Sequence, residues 1–273
     1  MKSNPDSSQG LMTTEGHLEV MRKMLFRILF VVLTMGIIIF IFRRQTFSII
    51  LAPKNSGFVF YRAVEWLLGL AGINYHFNAF DVELISTDLS AQFMLHVTSS
   101  LYMALLVSSP YVVFELFRFI SPALYEQEKK YSVPIVVAIY VLFAFGVLMT
   151  YYILFPFSFR FLGTYQVDET VRNTITLSSY MSTLISMSLI MGLVFQLPVL
   201  AYILGKMGVI TYVLLVEYRK WALMIILSIS AVITPPDVFT LLIVSLPLYL
   251  LYEISILVLK RLQAHQTDND EPS

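Results

Sequence analysis

From Tyr131 to Phe159 the sequence runs for 29 residues without Asp, Glu, Lys or Arg. About 20 apolar residues carry a helix across a bilayer. A second charge-free run covers Leu89 to Phe114. Between the two lies a polar island, Arg118-Phe-Ile-Ser-Pro-Ala-Leu-Tyr-Glu-Gln-Glu-Lys-Lys130. Charged residues make up 13% of the chain, against about 25% in soluble domains. They fall in short segments between long apolar runs, the pattern of a polytopic membrane protein. The island is therefore pinned to one membrane face by the spans on either side.

The same pattern predicts an all-α fold of six transmembrane helices, with residues 1–14 a disordered tail, 15–259 one membrane domain and 260–273 a second disordered tail. The polar start of the chain lacks the basic region of a cleaved signal peptide, so the first apolar run reads as a retained span. Aromatic residues around Phe58, Tyr61 and Trp66 suggest a short helix at the membrane interface. The fifth apolar segment, Trp221 to Pro236, is an anomaly: 16 residues reach only about 24 Å, short of the ~30 Å hydrocarbon core. Pro110, Pro134, Pro198 and Pro247 fall in spans and predict bent helices around a cupped interior. Of the 18 Lys and Arg residues, twelve fall on the side of the termini and the island and six opposite, which predicts that both termini are cytoplasmic. The chain has no cysteine, and no two of its four histidines stand at metal-ligand spacing. No metal, cofactor or nucleic-acid partner is expected.

Several residues stand out as sites. Glu126 and Glu128 offer carboxylates that can take two parallel N–H bonds from a guanidinium, a geometry that selects Arg over Lys; the bland reading is a solvated loop paired to Lys129 or Lys130. Glu19, Arg22 and Lys23 stand at the foot of the first span, where a cationic anchor suffices for the latter two. Glu115 and Arg118 share a helix face, as a local ion pair or a peptide contact. Glu253 lies inside the last span, where a carboxylate is costly and marks a functional site by default; it could face the interior and pair with a polar group such as Gln196. Asp237, after Pro235 and Pro236, can cap the last helix and fix the turn that precedes it. A nucleophile with a converging base is missing, which excludes an intramembrane hydrolase. A proton-coupled small-molecule or ion transporter working through Glu253 stays open as an alternative, against the lack of internal repeats.

Two blocks are specific. Ala231-Val-Ile-Thr-Pro-Pro-Asp-Val-Phe239, followed by Leu246-Pro-Leu-Tyr-Leu-Leu-Tyr-Glu253, resembles the fifth-to-sixth span region of the TatC family, the signal-peptide receptor subunits of the twin-arginine protein translocase. Phe119-Ile-Ser-Pro-Ala-Leu-Tyr-Glu-Gln-Glu128 resembles that family's first cytoplasmic loop. Ser109-Pro-Tyr111, Phe195-Gln-Leu-Pro198 and His17-Leu-Glu-Val-Met-Arg22 follow the same order. The resemblance implies a cupped six-span receptor in the bacterial cytoplasmic membrane. It would bind twin-arginine signal peptides of folded precursors, self-associate, work with TatA/TatB-type single-span subunits and draw on the proton gradient. It implies peptide contacts at Glu128, Glu126, Arg22 and Phe119. The chain departs from the family at three places: Val20 stands where a glutamate is usual, Gln196 where an intramembrane glutamate precedes a proline, and Glu115 where a glutamine is common. Glu19 or Glu115 then becomes a compensating acid, and Glu128 the more sensitive half of the docking site. Glu128→Gln should weaken binding of a twin-Arg peptide far more than that of its twin-Lys form; equal loss for both, measured by fluorescence anisotropy, contradicts the pairing.

Overall fold

The computed structural model describes residues 14–73, 83–120, 132–165, 168, 174–234 and 237–270. Helix α1 (Thr14–Ile41) is followed by a short α2 (Arg43–Ile50), a 3-10 turn over Ala52–Lys54 and α3 (Val59–Leu70). Then come α4 (Ala91–Ile120), α5 (Ser132–Met149), a π turn over Thr150–Leu154 and α6 (Phe155–Thr164). Helices α7 (Leu177–Val194) and α8 (Leu197–Lys206) follow, with α9 (Tyr212–Glu217), α10 (Arg219–Ile233) and α11 (Val238–Asp270) completing the order. The sequence did not announce the two-residue strands β1 (Leu84–Ile85) and β2 (Ile175–Thr176), which pair in parallel and tie the approach to α4 to the approach to α7.

Among the described residues, five stretches are long and apolar enough to cross a membrane: Leu18–Ile41, Ala91–Leu116, Pro134–Thr164, Leu177–Lys206 and Val238–Ala264. The expected fifth crossing, α10, has 15 residues, or about 22 Å of helix. It falls below that length, as its sequence warned.

The prolines act in different ways. Pro110 and Pro247 lie inside α4 and α11, where each removes a backbone bond. Pro198 sits in the first turn of α8, just past the break at Phe195 and Gln196 that splits the fourth span. Pro134 is the third residue of α5, a first-turn position where no intrahelical bond is lost. The expected bend there is not forced by that proline. The interruption in this span comes later, at the π turn.

The core lies around α7. Met181, Leu184, Met187 and Met191 are essentially unexposed and meet Leu154 and Phe155, Ile226 and Ile233 of α10, and Val244 and Leu248 of α11. The first span is the peripheral one: 11% of its most apolar window is buried, against 50% for the α7–α8 span. Its Leu25, Leu29, Phe30, Leu33 and Ile37 point outward, as lipid-facing residues should.

At the end of the spans away from the island, tyrosines close the structure. A helix leaves its last carbonyls without internal partners. Those of α2 are met from far away: Tyr151 donates to Ile49 O at 2.6 Å, and Tyr180 to Ile50 O at 2.9 Å. The Tyr61 hydroxyl of α3 lies 3.2 Å from both Pro53 O and Pro156 O, so its one proton is shared between two acceptors. Burial pushes the Tyr61 phenol up to about 12, against the opposing pull of Arg160. It stays a neutral donor across the physiological range. The Arg160 guanidinium lies over the same ring at 5.4 Å.

The expected disordered tail from Lys260 does not begin there: α11 continues to Asp270. The reason is contact beyond the apolar run. Leu262 is half-buried, and Gln263 Oε1 accepts the Tyr212 N–H at 3.4 Å.

Helix approach in lipid depends on small residues, because lipid supplies no apolar drive between helices. A Cβ on Gly146 would lie 2.8 Å from the Met191 carbonyl oxygen and 3.0 Å from the Phe195 ring. A Cβ on Gly69 of α3 meets nothing within 4 Å. Gly146→Ala should therefore destabilise the α5–α7 contact by about 1–3 kcal/mol. Gly69→Ala should be neutral or stabilising by up to about 1 kcal/mol. Thermal unfolding of both variants in detergent checks the pair.

Candidate functional site

The sequence-predicted sites fall in three places. Glu126 and Glu128 lie outside the described residues, as do Pro235 and Pro236. The others are described, and the structure brings some of them together.

The main cluster joins the foot of α1 to the end of α4, where the island begins in sequence. Both helices are long enough to overrun their apolar stretches, so their charged ends stand side by side. Glu115 is 3% exposed. Its Oε2 accepts from Arg27 Nη2 at 2.9 Å, across 88 residues of chain. Its Oε1 accepts from the Tyr111 hydroxyl at 3.2 Å, and Arg118 Nη1 stands 4.0 Å away. The i,i+3 geometry foreseen for Glu115 and Arg118 is thus present at long range, but the closer partner is Arg27. A buried carboxylate left bare is strongly unfavourable, and the guanidinium from α1 answers that need. A cavity of about 290 Å³ opens at the pair, lined by Val20, Lys23, Met24, Arg27, Glu115, Arg118 and Phe119.

Glu19 does not reach this cavity's lining. It pairs with Lys23 at 2.7 Å along the same helix, with both side chains about two-thirds exposed. Such a pair contributes little to stability. Arg22 lies over the Phe26 ring at 5.6 Å, on the exposed side of α1. Sequence reasoning passed over Arg27 as one more cation of the helix start. The signal that could have found it is its register: Met24 is buried, and Arg27, three residues on, shares its face.

The second place is the α10–α11 pair. Glu253 does not pair with Gln196. Its Oε2 accepts from Arg219 Nη2 at 2.8 Å, with the two side chains 29% and 44% exposed. The correction has a simple cause: α10 starts at Arg219 and runs against α11, which brings a full charge to Glu253, whereas Gln196 is turned onto its own helix end. Gln196 Nε2 donates to Gly192 O at 3.2 Å, and its Oε1 is buried without a hydrogen-bond partner. A larger, almost wholly apolar cavity of about 930 Å³ lies between α5, α8 and α11, bounded by Phe145, Phe195, Val199, Leu250 and Ile254 among others. Its chemistry is limited to receiving an apolar chain.

The third place is the turn before α11. Asp237 Oδ1 accepts the Thr240 N–H at 2.6 Å, an N-cap bond to the third helical residue. Among the described residues no group of three or more His, Cys, Asp or Glu could hold a metal ion.

Residues 16–247 match the sequence family described as TatC, Sec-independent protein translocase protein. The chain is 33% identical over 246 residues to the Sec-independent protein translocase protein TatC of Blattabacterium sp. subsp. Periplaneta americana, covering 89% of this chain and 92% of that protein. It is 38% identical over 193 residues to the protein of the same name in Helicobacter pylori (strain J99), covering 71% and 77%. Its fold superposes on a crystal structure of the twin arginine translocase receptor TatC with a TM-score of 0.69 and 30% identity, over 89% of this chain and 98% of the other. None of this supports the small-molecule transporter alternative.

Removing the Asp237 carboxylate tests the cap by itself. Asp237→Ala should cost about 0.5–2 kcal/mol, whereas Asp237→Asn, which keeps the acceptor oxygen, should cost a few tenths at most. Denaturant titration of the two variants in micelles separates them.

Proposed function

The chain belongs to the TatC family, a multi-pass membrane subunit of a Sec-independent protein translocase and not an enzyme, and from that premise we propose that it is the receptor that reads twin-arginine signal peptides on folded precursors. In this reading α10 makes a sixth crossing, short but sheltered against α11, and the spans enclose a cupped interior. The N-terminus, the island and the end of α11 face the cytoplasm of a bacterium, in keeping with the twelve-to-six division of Lys and Arg and the positive-inside rule.

The paired arginines dock where the foot of α1 meets the island. Glu128 and Glu126 are the outer acceptors. Glu115 and Phe119 line the inner cavity, while Glu19 and Arg22 flank it on α1. TatA/TatB-type single-span subunits complete the pathway, copies of the chain associate in the receptor complex, and the proton gradient drives export. No bond is made or broken; the work is selective binding followed by transfer.

One observation carries this reading: a buried, arginine-paired carboxylate at the α1–α4 junction, in a chain whose fold follows that of a twin arginine translocase receptor over 89% of its length. A carboxylate at a membrane face, with part of its water excluded, binds a guanidinium more strongly than one on an open surface. Photocrosslinking tests it. Probes at positions 115, 119, 126 and 128 should capture a twin-Arg precursor, and a probe at Gly163, at the opposite end of the molecule, should not. Equal capture at all five positions, or at Gly163 alone, contradicts the proposal.

A further inference from the structure

We infer that Arg27 is an internal stand-in for a peptide arginine: its guanidinium occupies the Glu115 carboxylate in the unliganded protein and yields it when the ligand's own guanidinium arrives. The inference rests on the twin-arginine receptor reading and adds to it a specificity role for Arg27, which that reading does not place among the peptide contacts.

The two partners are unequal. Glu115 is 3% exposed, so its carboxylate must always have a partner. The Arg27 side chain is 46% exposed. It can turn out to water without burying an unpaired charge. The pair is held in place on the acid's side and loose on the cation's side, which is the asymmetry an exchange requires.

The bonding leaves room for a better donor. Arg27 engages one carboxylate oxygen, Oε2, through Nη2 at 2.9 Å. The other, Oε1, has the Tyr111 hydroxyl at 3.2 Å and Arg118 no nearer than 4.0 Å. A carboxylate can accept two parallel bonds from the planar fork of an arginine. A peptide arginine entering through the 290 Å³ cavity can use both oxygens where Arg27 uses one. A lysine ammonium is a point donor and has no such advantage.

Charge decides between exchange and addition. The cavity lining carries Lys23, Arg27 and Arg118 against Glu115, and Lys23 has Glu19 at 2.7 Å as its own counter-ion. Adding a ligand cation to that set raises an existing positive excess. Replacing Arg27 with a peptide arginine leaves the charge within the cavity unchanged. Exchange therefore favours a ligand that brings the same group, and Arg27 sets a threshold that weak donors do not pass.

The test uses the full chain in lipid nanodiscs, with a labelled twin-Arg signal peptide and its twin-Lys counterpart read by fluorescence anisotropy. The proteins are the wild type, Arg27→Gln, Arg27→Lys, Glu115→Gln and the Arg27→Gln/Glu115→Gln double variant. Removing the competitor should tighten twin-Arg binding roughly tenfold, with twin-Lys binding changed much less. The gain should vanish in the double variant, because the acceptor is gone. Arg27→Lys keeps a cation at the site and safeguards the test should Arg27→Gln not fold; it should also bind the twin-Arg peptide more tightly than wild type. Unchanged or weaker twin-Arg binding in the Arg27 variants, beside a wild type that binds, overturns the exchange and leaves the receptor reading standing. A gain that persists without the Glu115 carboxylate also overturns it. A wild type that binds neither peptide overturns the receptor reading and the exchange together.

Discussion

A span in lipid must satisfy its own backbone, since the hydrocarbon offers no partner for a bare N–H or C=O. That constraint explains where side chains do structural duty here. The chain breaks its regular helices at the end of α2, at the π turn of the third span and at the turn between α7 and α8. At each break a side chain supplies a bond. Tyr151 and Tyr180 take the last carbonyls of α2. Thr150 donates back to Gly146 O at 3.0 Å, and Gln196 to Gly192 O. Because Tyr151 and Tyr180 lie more than 100 residues from their acceptors, these bonds also lock the third and fourth spans to the segment that follows the first.

The opposite face is organised by charge instead. Among the described residues, Arg27 with Glu115 fastens two helices across 88 residues of chain, and Arg219 with Glu253 fastens the consecutive helices α10 and α11. In each, the acid is more buried than the base. An arginine suits that task, since its stem can lie along apolar surface while its head stays wet. The same asymmetry makes the first pair a candidate for exchange with a ligand. In the proposed reading, structure and recognition draw on one interaction, and the acid at position 115 serves both.

The sequence made much of this legible. Charge-free runs longer than a bilayer located the long spans, and the shortness of the fifth segment was readable before any helix was seen. Asp237 was placed as a cap by its position after two prolines, and its hydrogen bond to the Thr240 N–H is in place. Pairings between distant elements were not legible. Periodicity places Arg27 and Glu115 on their own helices, but only packing decides that they meet. The partner of Glu253 depends on where α10 begins against α11, and the sequence suggested a polar group such as Gln196 instead of Arg219. The strand pair of Leu84 and Ile175 carries only two residues on each side, too short for any alternation to register. The helix beyond Lys260 was missed because no apolar run marks it; contacts such as that of the Gln263 amide with Tyr212 N–H and the half-buried Leu262 form only on packing.

The central claim is that this face recognises guanidinium groups, not positive charge in general. Calorimetric titration of the wild-type chain in nanodiscs, with a twin-Arg signal peptide and then with its twin-Lys form at equal ionic strength, addresses that claim directly. The account predicts saturable binding of the twin-Arg peptide, tighter by a factor of about ten or more, the equivalent of at least one additional charge-assisted bond. Equal affinities for the two peptides, or a difference that disappears when salt is raised, would contradict it.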